Sequence, residues 1–597
     1  MIHRLVSWTK AICRFLAKVL CTLAMPIRHN WVFVLMMLLM LSLCIWREWI
    51  YQVDTALHYW HFCFDIYLLC IFLMLFRHNI RRYVKFLLYG IAYLSTFFEI
   101  FIMERFQVIF TPTTINLWRE TNAEETREFF LAYFTGSAFW ITSGLLLLTV
   151  CIHILLSKLE DWKAPRPYLL KLLSSFCIVL ITILSISPTL GEKELLCRFF
   201  SSSEQAEKVK SELFYSPVYR IVYSLCMLHV ADQDLDDLKE SMKSIQIDSC
   251  HHQCPNIILV IGESFSKHHA QLYGYKYKTT PNMIRMRNEK SLAVMYDAVT
   301  PWNLTSKVFK NMLSTYDMNK SGKWTDGVLF PAIMRKAGYK VAFLTNQYQK
   351  STTQNGIDFN GSFFLNDSEL DTPCFDIRNE KHYALDGDFI KEYEHYQPAA
   401  YNFIIFHLYG QHVKYNCRFD QSHQYFTADS LNRKKLNQEQ KQIVADYDNA
   451  TRYNDQVFAD ICHYFEKDDA IVIYLSDHGE EVYDYIRMFG RTPGDNISAP
   501  IAYYEFEIPM VMWFSPIFKE KHAAIVAKAR AVYREPFISS NISQLVMGLA
   551  GIKCKWYEAE RDLLSDAYTP QQRLLKGTIP YDSIIAGSKF EQKWKKK

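Results

Sequence analysis

Three apolar runs in this sequence each end in residues that titrate. NIILVI (256–261) leads into GES and places Glu263 just past the run; NFIIF (402–406) leads into HLYGQH and places His407 and His412; AIVIYLS (470–476) leads into Asp477, His478, Glu480 and Glu481. Ionisable groups are costly to bury unless they are paired or bound to a metal. In an open α/β sheet, ligands gather at the carboxyl ends of the strands, so a Glu, an Asp and a His from separate strand ends can converge on one ion. Taken singly, Glu263 also reads as an acid at a helix start and His407 as a hydrogen-bonded core histidine. The Asp477-His478 pair is the hardest to explain without a ligand.

The elements that must position these groups follow from the apolar pattern. Further runs at 340–344 and 508–514 alternate with amphipathic stretches such as FPAIMRKAGYK and NQEQKQIVADYDNATRYNDQVFADICHYF. Continuous apolar strands separated by helices predict a parallel sheet buried on both faces, hence an α/β domain over 251–590.

The first third is of another kind. Five apolar stretches, at 28–46, 60–76, 83–103, 137–157 and 169–190, approach the ~20 residues a helix needs to cross a bilayer. Residues 1–30 carry Arg4, Lys10, Arg14, Lys18 and Arg28 with no acid, and Arg77, Arg81, Arg82 and Lys85 mark the second connection. Lys158, Lys163, Arg166 and Lys171 outnumber Glu160 and Asp161 in the fourth. The loop at 104–136 instead has three Arg against five Glu. Basic loops stay on the cytoplasmic side, so five crossings predict a membrane domain over 1–190 with everything beyond it outside the cytoplasm. Residues 191–250 read as a linker with interfacial helices, such as 218–230, and 591–597 as a solvated basic tail. A net charge of +4 over 597 residues argues against a nucleic-acid partner. Of the fifteen cysteines, only Cys250 and Cys254 are close enough to suggest a local disulfide.

With these residues in view, GESFSKHHAQLYGYKYKTTPNM, TPWNLTSKVFKNMLST, FLTNQ, YDNATRYND and SDHGEEVYD together resemble the membrane-bound phosphoethanolamine transferases of the alkaline phosphatase and sulfatase superfamily. The resemblance implies a transmembrane domain of five helices followed by an extracytoplasmic α/β/α sandwich. It also implies a zinc ion held by Glu263, Thr305, Asp477 and His478, with Thr305 as the catalytic nucleophile. A helix start at Thr305 would favour its alkoxide, whereas a plain capping role could fall to Asn303 as well. Zinc follows from the resemblance, since so oxygen-rich a ligand set would also accept manganese. Glu480 and Glu481 read as supporting or surface acids.

For substrate contacts the resemblance implies Asn346, Lys350 and His412 at the phosphate, and Asn116, Thr121 and Glu125 at the donor headgroup. The sequence departs from the lipid A enzymes in two places. A His expected about twelve residues beyond His478 is missing, with Arg487 or Arg491 available to supply charge, and Pro301 and Asn311 stand where a Cys pair flanks the nucleophile. Both departures favour the branch that modifies the lipopolysaccharide core. The implied activity moves phosphoethanolamine from phosphatidylethanolamine to a lipopolysaccharide core or lipid A glycolipid, in a monomer whose catalytic domain lies in the periplasm, anchored in the inner membrane of a bacterium. A phosphoglycerol transferase or sulfatase-like hydrolase would share the metal site. A membrane-anchored binding protein with an inert domain would have no need to retain it.

Overall fold

The structure is a computed structural model that describes residues 21–51, 59–106, 109–110, 137–159, 216–347, 364–379, 381, 383–486, 488–492 and 496–591, together with Trp8, Phe15, Lys18 and Val19. The chain divides into a unit that ends at Ala231 and a second that occupies Asp232–Lys597.

The first unit contains helices α1 (Trp31–Ile50), α2 (Tyr59–Met74), α3 (His78–Phe106) and α4 (Ser137–Leu159), followed by α5 (Pro217–Lys243), which runs on into the second unit. Among the described residues, α1, α3 and α4 are long and apolar enough to cross a membrane. The second expected span is the 16-residue α2, shorter than the bilayer core requires. The fifth, at 169–190, lies outside the described residues. Among the described residues, three of the five expected spans therefore have the necessary length.

The second unit is built on a seven-stranded sheet. Its strands are β1 (Asn256–Gly262), β2 (Leu292–Met295), β3 (Lys340–Thr345), β4 (Ile377–Arg378), β5 (Asn402–His407), β6 (Ala470–Ser476) and β9 (Met510–Phe514), in the order β2-β9-β6-β1-β5-β3-β4. A short hairpin, β7 (Glu481–Val482) with β8 (Phe489–Gly490), follows β6. β1 pairs in parallel with β5 and β6, and β3 with β5 and β4. The expected all-parallel sheet is corrected at one edge, where β9 runs antiparallel to both β6 and β2. An apolar run reports burial on both faces and carries no information about direction.

Alternate residues of β1 enter separate cores. Ile257, Leu259 and Ile261 pack on helices α7 (Thr305–Leu313), α8 (Phe330–Lys336) and α11 (Ile542–Ala550). Ile258 and Val260 pack on α6 (Pro281–Asn288), α9 (Asp386–Tyr393) and α10 (Gln438–Tyr464). Each fully buried Ile contributes about 1.5–3 kcal/mol. A one-residue slip would exchange every side chain between the two cores, so packing on both faces locks the register that brings Glu263 and Asp477 level. The result is an α/β/α sandwich. The described cysteines, Cys250 and Cys254 among them, are free thiols.

Candidate metal centre and active site

Glu263 follows β1, and the next residue takes a conformation that non-glycine residues rarely adopt, with Ser264 at φ +57°. That turn lets Ser264 face two ways at once: its N–H donates to Asp477 Oδ1 (2.9 Å) and its hydroxyl to Glu263 Oε1 (2.6 Å). Gly410, at φ +50°, passes behind, and a Cβ there would stand 2.7 Å from the Glu263 carbonyl oxygen. Only glycine fits.

Asp477 and His478 extend β6. Asp477 Oδ1 also accepts from the His478 N–H (2.6 Å), while Oδ2 lies 3.0 Å from His478 Nε2 and finds no well-directed donor. His478 Nδ1 faces the Gly479 carbonyl at 2.8 Å and so must donate to it. Nε2 is thereby turned toward the carboxylates, 3.3 Å from Glu263 Oε1, as a second-partner hydrogen bond orients a metal-binding imidazole. Glu263, Asp477 and His478 are fully buried and their ligand atoms lie within 4.8 Å of one another.

Thr305 is the first residue of α7. Leu304 precedes it in extended conformation and offers no capping side chain, while Asn303 is engaged with Thr492 and Glu505, so the first turn is not capped by either. The Thr305 hydroxyl instead donates to Glu263 Oε2 (3.0 Å) and lies 3.4 Å from His478 Nε2. Four oxygen- and nitrogen-bearing groups thus close on one point, at a helix N-terminus.

The electrostatics describe a site that calls for a cation. Burial alone would lower the His478 pKa, but the Asp477 carboxylate outweighs it and lifts the imidazole to about 10. Burial, then the neighbouring Glu263, raises Asp477. Burial also opposes ionisation of Glu263, yet His478 and Arg491 hold it well below the ordinary carboxylate range. The guanidinium of Arg491 reaches into the cradle, with Nη1 2.7 Å from His478 Nε2 and 3.8 Å from Glu263. An unsatisfied Asp477 oxygen, an imidazole whose Nε2 faces two carboxylates and a hydroxyl beside them form a donor set that fits a divalent metal ion.

The remaining site candidates fall into three groups. His412 is half-buried and close enough to feel Glu263, its Nδ1 has no hydrogen-bond partner, and desolvation pushes it down to about 3. Asn346 turns away to Asp386 (2.9 Å) and the Tyr383 N–H (2.9 Å), and Asp386 in turn holds the N–H groups of Tyr409 and Gly410. Lys350, Asn116, Thr121, Glu125 and Arg487 lie outside the described residues. His407 sits in the core with Nδ1 2.9 Å from the Thr345 hydroxyl, and burial lowers it to about 4.

Several contributors escape sequence reasoning. Gln347, next to Asn346, donates to Glu263 Oε2 (3.2 Å) and to the Leu408 carbonyl (2.8 Å). Of the two readings of Glu480 and Glu481 the supporting one holds, since both are buried: Glu480 accepts from the Tyr415 hydroxyl (2.6 Å), and Glu481 takes the N–H groups of Asp484, Tyr485 and Ile486. Tyr447 of α10 grips the other side of the Glu263 turn through the Ser266 N–H (2.8 Å) and the Ser264 carbonyl (2.5 Å). The YDNATRYND stretch foreshadows a helix but not these contacts.

Two buried carboxylates, an imidazole and a hydroxyl at the carboxyl edge of an α/β/α sheet are the arrangement expected of an alkaline phosphatase and sulfatase type domain. Residues 255–552 match the Sulfatase family. Phosphoethanolamine transferase EptC of Escherichia coli O18:K1:H7 is 24% identical over 499 residues, covering 80% of this chain and 82% of its own. The crystal structure of the C-terminal periplasmic domain of E. coli EptC superposes with a TM-score of 0.50 at 25% identity, over 58% of this chain and 98% of that one, and the same domain has been solved in complex with zinc. The integral membrane lipooligosaccharide phosphoethanolamine transferase A of Neisseria meningitidis shares the fold over 92% of this chain and 98% of its own, with a TM-score of 0.53 at 18% identity. The chain belongs to the sulfatase family, on the branch of the membrane-bound phosphoethanolamine transferases.

Proposed function

We propose that the protein transfers phosphoethanolamine from phosphatidylethanolamine to a cell-envelope glycolipid, with Thr305 as the nucleophile. The observation that carries this reading is the Thr305 hydroxyl, presented at a helix start within 3.4 Å of both Glu263 and His478. Glu263, Thr305, Asp477 and His478 would hold zinc, which when bound supplies Lewis acidity that makes a weak hydroxyl nucleophilic near neutral pH. Manganese is the alternative ion such oxygen ligands accept.

Thr305 Oγ1 gives up its proton and attacks the phosphorus, the bond from phosphorus to the diacylglycerol oxygen breaks, and that oxygen takes up the proton and leaves as diacylglycerol. Glu263 accepts the hydroxyl hydrogen bond and orients the attacking oxygen. A glycolipid hydroxyl then attacks the phosphorus of the phosphoethanolamine diester on Thr305, the bond from phosphorus to Thr305 Oγ1 breaks, and that oxygen takes the proton the glycolipid hydroxyl gives up, restoring the threonine. The helix N-terminus of α7 favours the negative charge that develops at Thr305. His412 would face the transferring phosphate, and Asn346 would act through Asp386 on the loop that bears His412. Lys350, Asn116, Thr121 and Glu125 complete the substrate contacts implied by family resemblance. The solved C-terminal periplasmic domain of the EptC relative supports a catalytic domain in the periplasm, and the lipopolysaccharide-core acceptor and inner-membrane anchor rest on the family resemblance.

Incubation with phosphatidylethanolamine and no acceptor should leave a phosphoethanolamine adduct on Thr305, and Thr305→Ala should form none. An adduct on another residue would overturn the nucleophile. A phosphoglycerol adduct formed only from phosphatidylglycerol would move the protein to another headgroup.

A further inference from the structure

The chain returns to the site immediately after the metal-ligand pair. The β7-β8 hairpin ends at Gly490, whose φ of +104° lies where side chains are strained, and the next residue is Arg491. Thr492 then anchors the strand: its N–H and hydroxyl donate to the two oxygens of Glu505 (2.9 and 2.7 Å), and its carbonyl accepts from Asn303 Nδ2 (2.7 Å). That same amide nitrogen also donates to Glu505 (2.6 Å). Asn303 lies two residues before Thr305, so one buried network ties the backbone of Arg491 to the turn that presents the hydroxyl. The Arg491 side chain is only 13% exposed, with Nη1 3.5 Å from Thr305 Oγ1 and Nε 3.7 Å from Glu480 Oε2. This guanidinium is built in, unlike a surface arginine that happens to reach a cleft.

Charge shows what it is for. Glu263 and Asp477 together balance one divalent ion. A deprotonated Thr305 and a phosphodiester then bring two further negative charges to the same point, and the transition state spreads charge over the nonbridging oxygens. A planar guanidinium fork matches a pair of such oxygens. We propose that Arg491 is the clamp for the phosphoryl oxygens, holding a phosphate ester anion at Thr305 and supplying positive charge that a single divalent ion does not. The ligand class is a phosphate mono- or diester. The proposal rests on the reading of Thr305 as the site of phosphoryl transfer, and its test is separable from that reading.

The test uses the full-length protein in detergent, loaded with zinc, with inorganic phosphate as the probe. Affinity is read by calorimetry, zinc content by elemental mass spectrometry and folding by thermal unfolding. Arg491→Ala should keep its zinc and lose roughly ten- to hundredfold in phosphate affinity, while Arg491→Lys, which keeps the charge without the fork, should lose less. Wild-type phosphate affinity in the folded Ala variant would overturn the proposal. So would a loss of zinc in step with the loss of phosphate in both variants, which would make Arg491 a strut for the ligands. A normal Thr305 adduct with unchanged phosphate affinity in Arg491→Ala defeats this inference alone. Weakened phosphate binding with no adduct at Thr305 leaves the clamp standing and removes the nucleophile.

Discussion

Both units of this protein bury a cluster of charge, and the two clusters are finished in opposite ways. In the first unit Arg220 donates to Glu48 (2.7 Å) and to Glu99 (2.5 Å), each of the three at most 5% exposed, while Glu99 Oε1 also accepts from the Phe110 N–H. The protein supplies both signs of charge itself. In the second unit Glu263, Asp477 and His478 are equally buried, but their ligand atoms lie within 4.8 Å of one another, with the Thr305 hydroxyl 3.0 Å from Glu263 and Arg491 2.7 Å from His478. In the first, one guanidinium bridges two carboxylates; in the second, two carboxylates, an imidazole and a hydroxyl are gathered around one point. A buried ion cluster is diagnostic of function when its ligand atoms converge in that way.

The largest effect should come from the open cluster. Asp477→Asn or His478→Ala should remove most bound zinc and lower turnover on the order of a thousandfold or more, while the soluble unit still unfolds cooperatively. Full zinc content and turnover in both variants would place the centre elsewhere.

The closed cluster should respond in stability instead. Arg220→Ala leaves two buried carboxylates without their cation and should cost roughly 3–5 kcal/mol. The triple change Arg220→Met, Glu48→Leu, Glu99→Leu should recover most of that loss, since replacing a whole buried network with apolar groups is often near neutral. Thermal unfolding in detergent measures both, and a single variant as stable as the wild type would break the contrast.

A third cluster sharpens it through pH. His269 lies between Asp448 (2.6 Å) and Asp484 (2.9 Å), with Arg433, Tyr275 and Tyr447 against the same group. Burial alone would lower its pKa, but Asp484 and Asp448 lift it to about 9. A raised folded-state pKa means that the contribution is complete below the unfolded value near 6.5 and fades as pH climbs through 9. The wild type should lose up to roughly 3 kcal/mol relative to His269→Gln across that window. Parallel stability curves for the two proteins between those limits would show that the imidazolium is not held.

The smallest effect belongs to an exposed pair. Lys391 and Asp388 lie 3.0 Å apart with 67% and 57% of their side chains in solvent, and Asp388→Asn should change stability by less than about 0.5 kcal/mol.

The five apolar strand runs, the long helix carrying YDNATRYND and the unequal halves of the chain were legible because each is a local pattern of burial and polarity. So was the cost of Glu263, Asp477 and His478 at strand ends. The antiparallel β9 was not, since direction belongs to the connection and not to the run.

The sequence by itself determined which residue types stand at the ends of β1 and β6, because alternation and apolar runs are properties of neighbours in the chain. Only the tertiary structure decided which side chains complete the centre. Gln347 reaches Glu263 while its neighbour Asn346 turns to Asp386, and Arg491, not part of any apolar pattern, is carried onto Thr305 by a hairpin anchored through Glu505 and Asn303. Side-chain direction at a loop depends on hydrogen-bond partners 40 to 202 residues away, and those partners meet only when the sheet has closed.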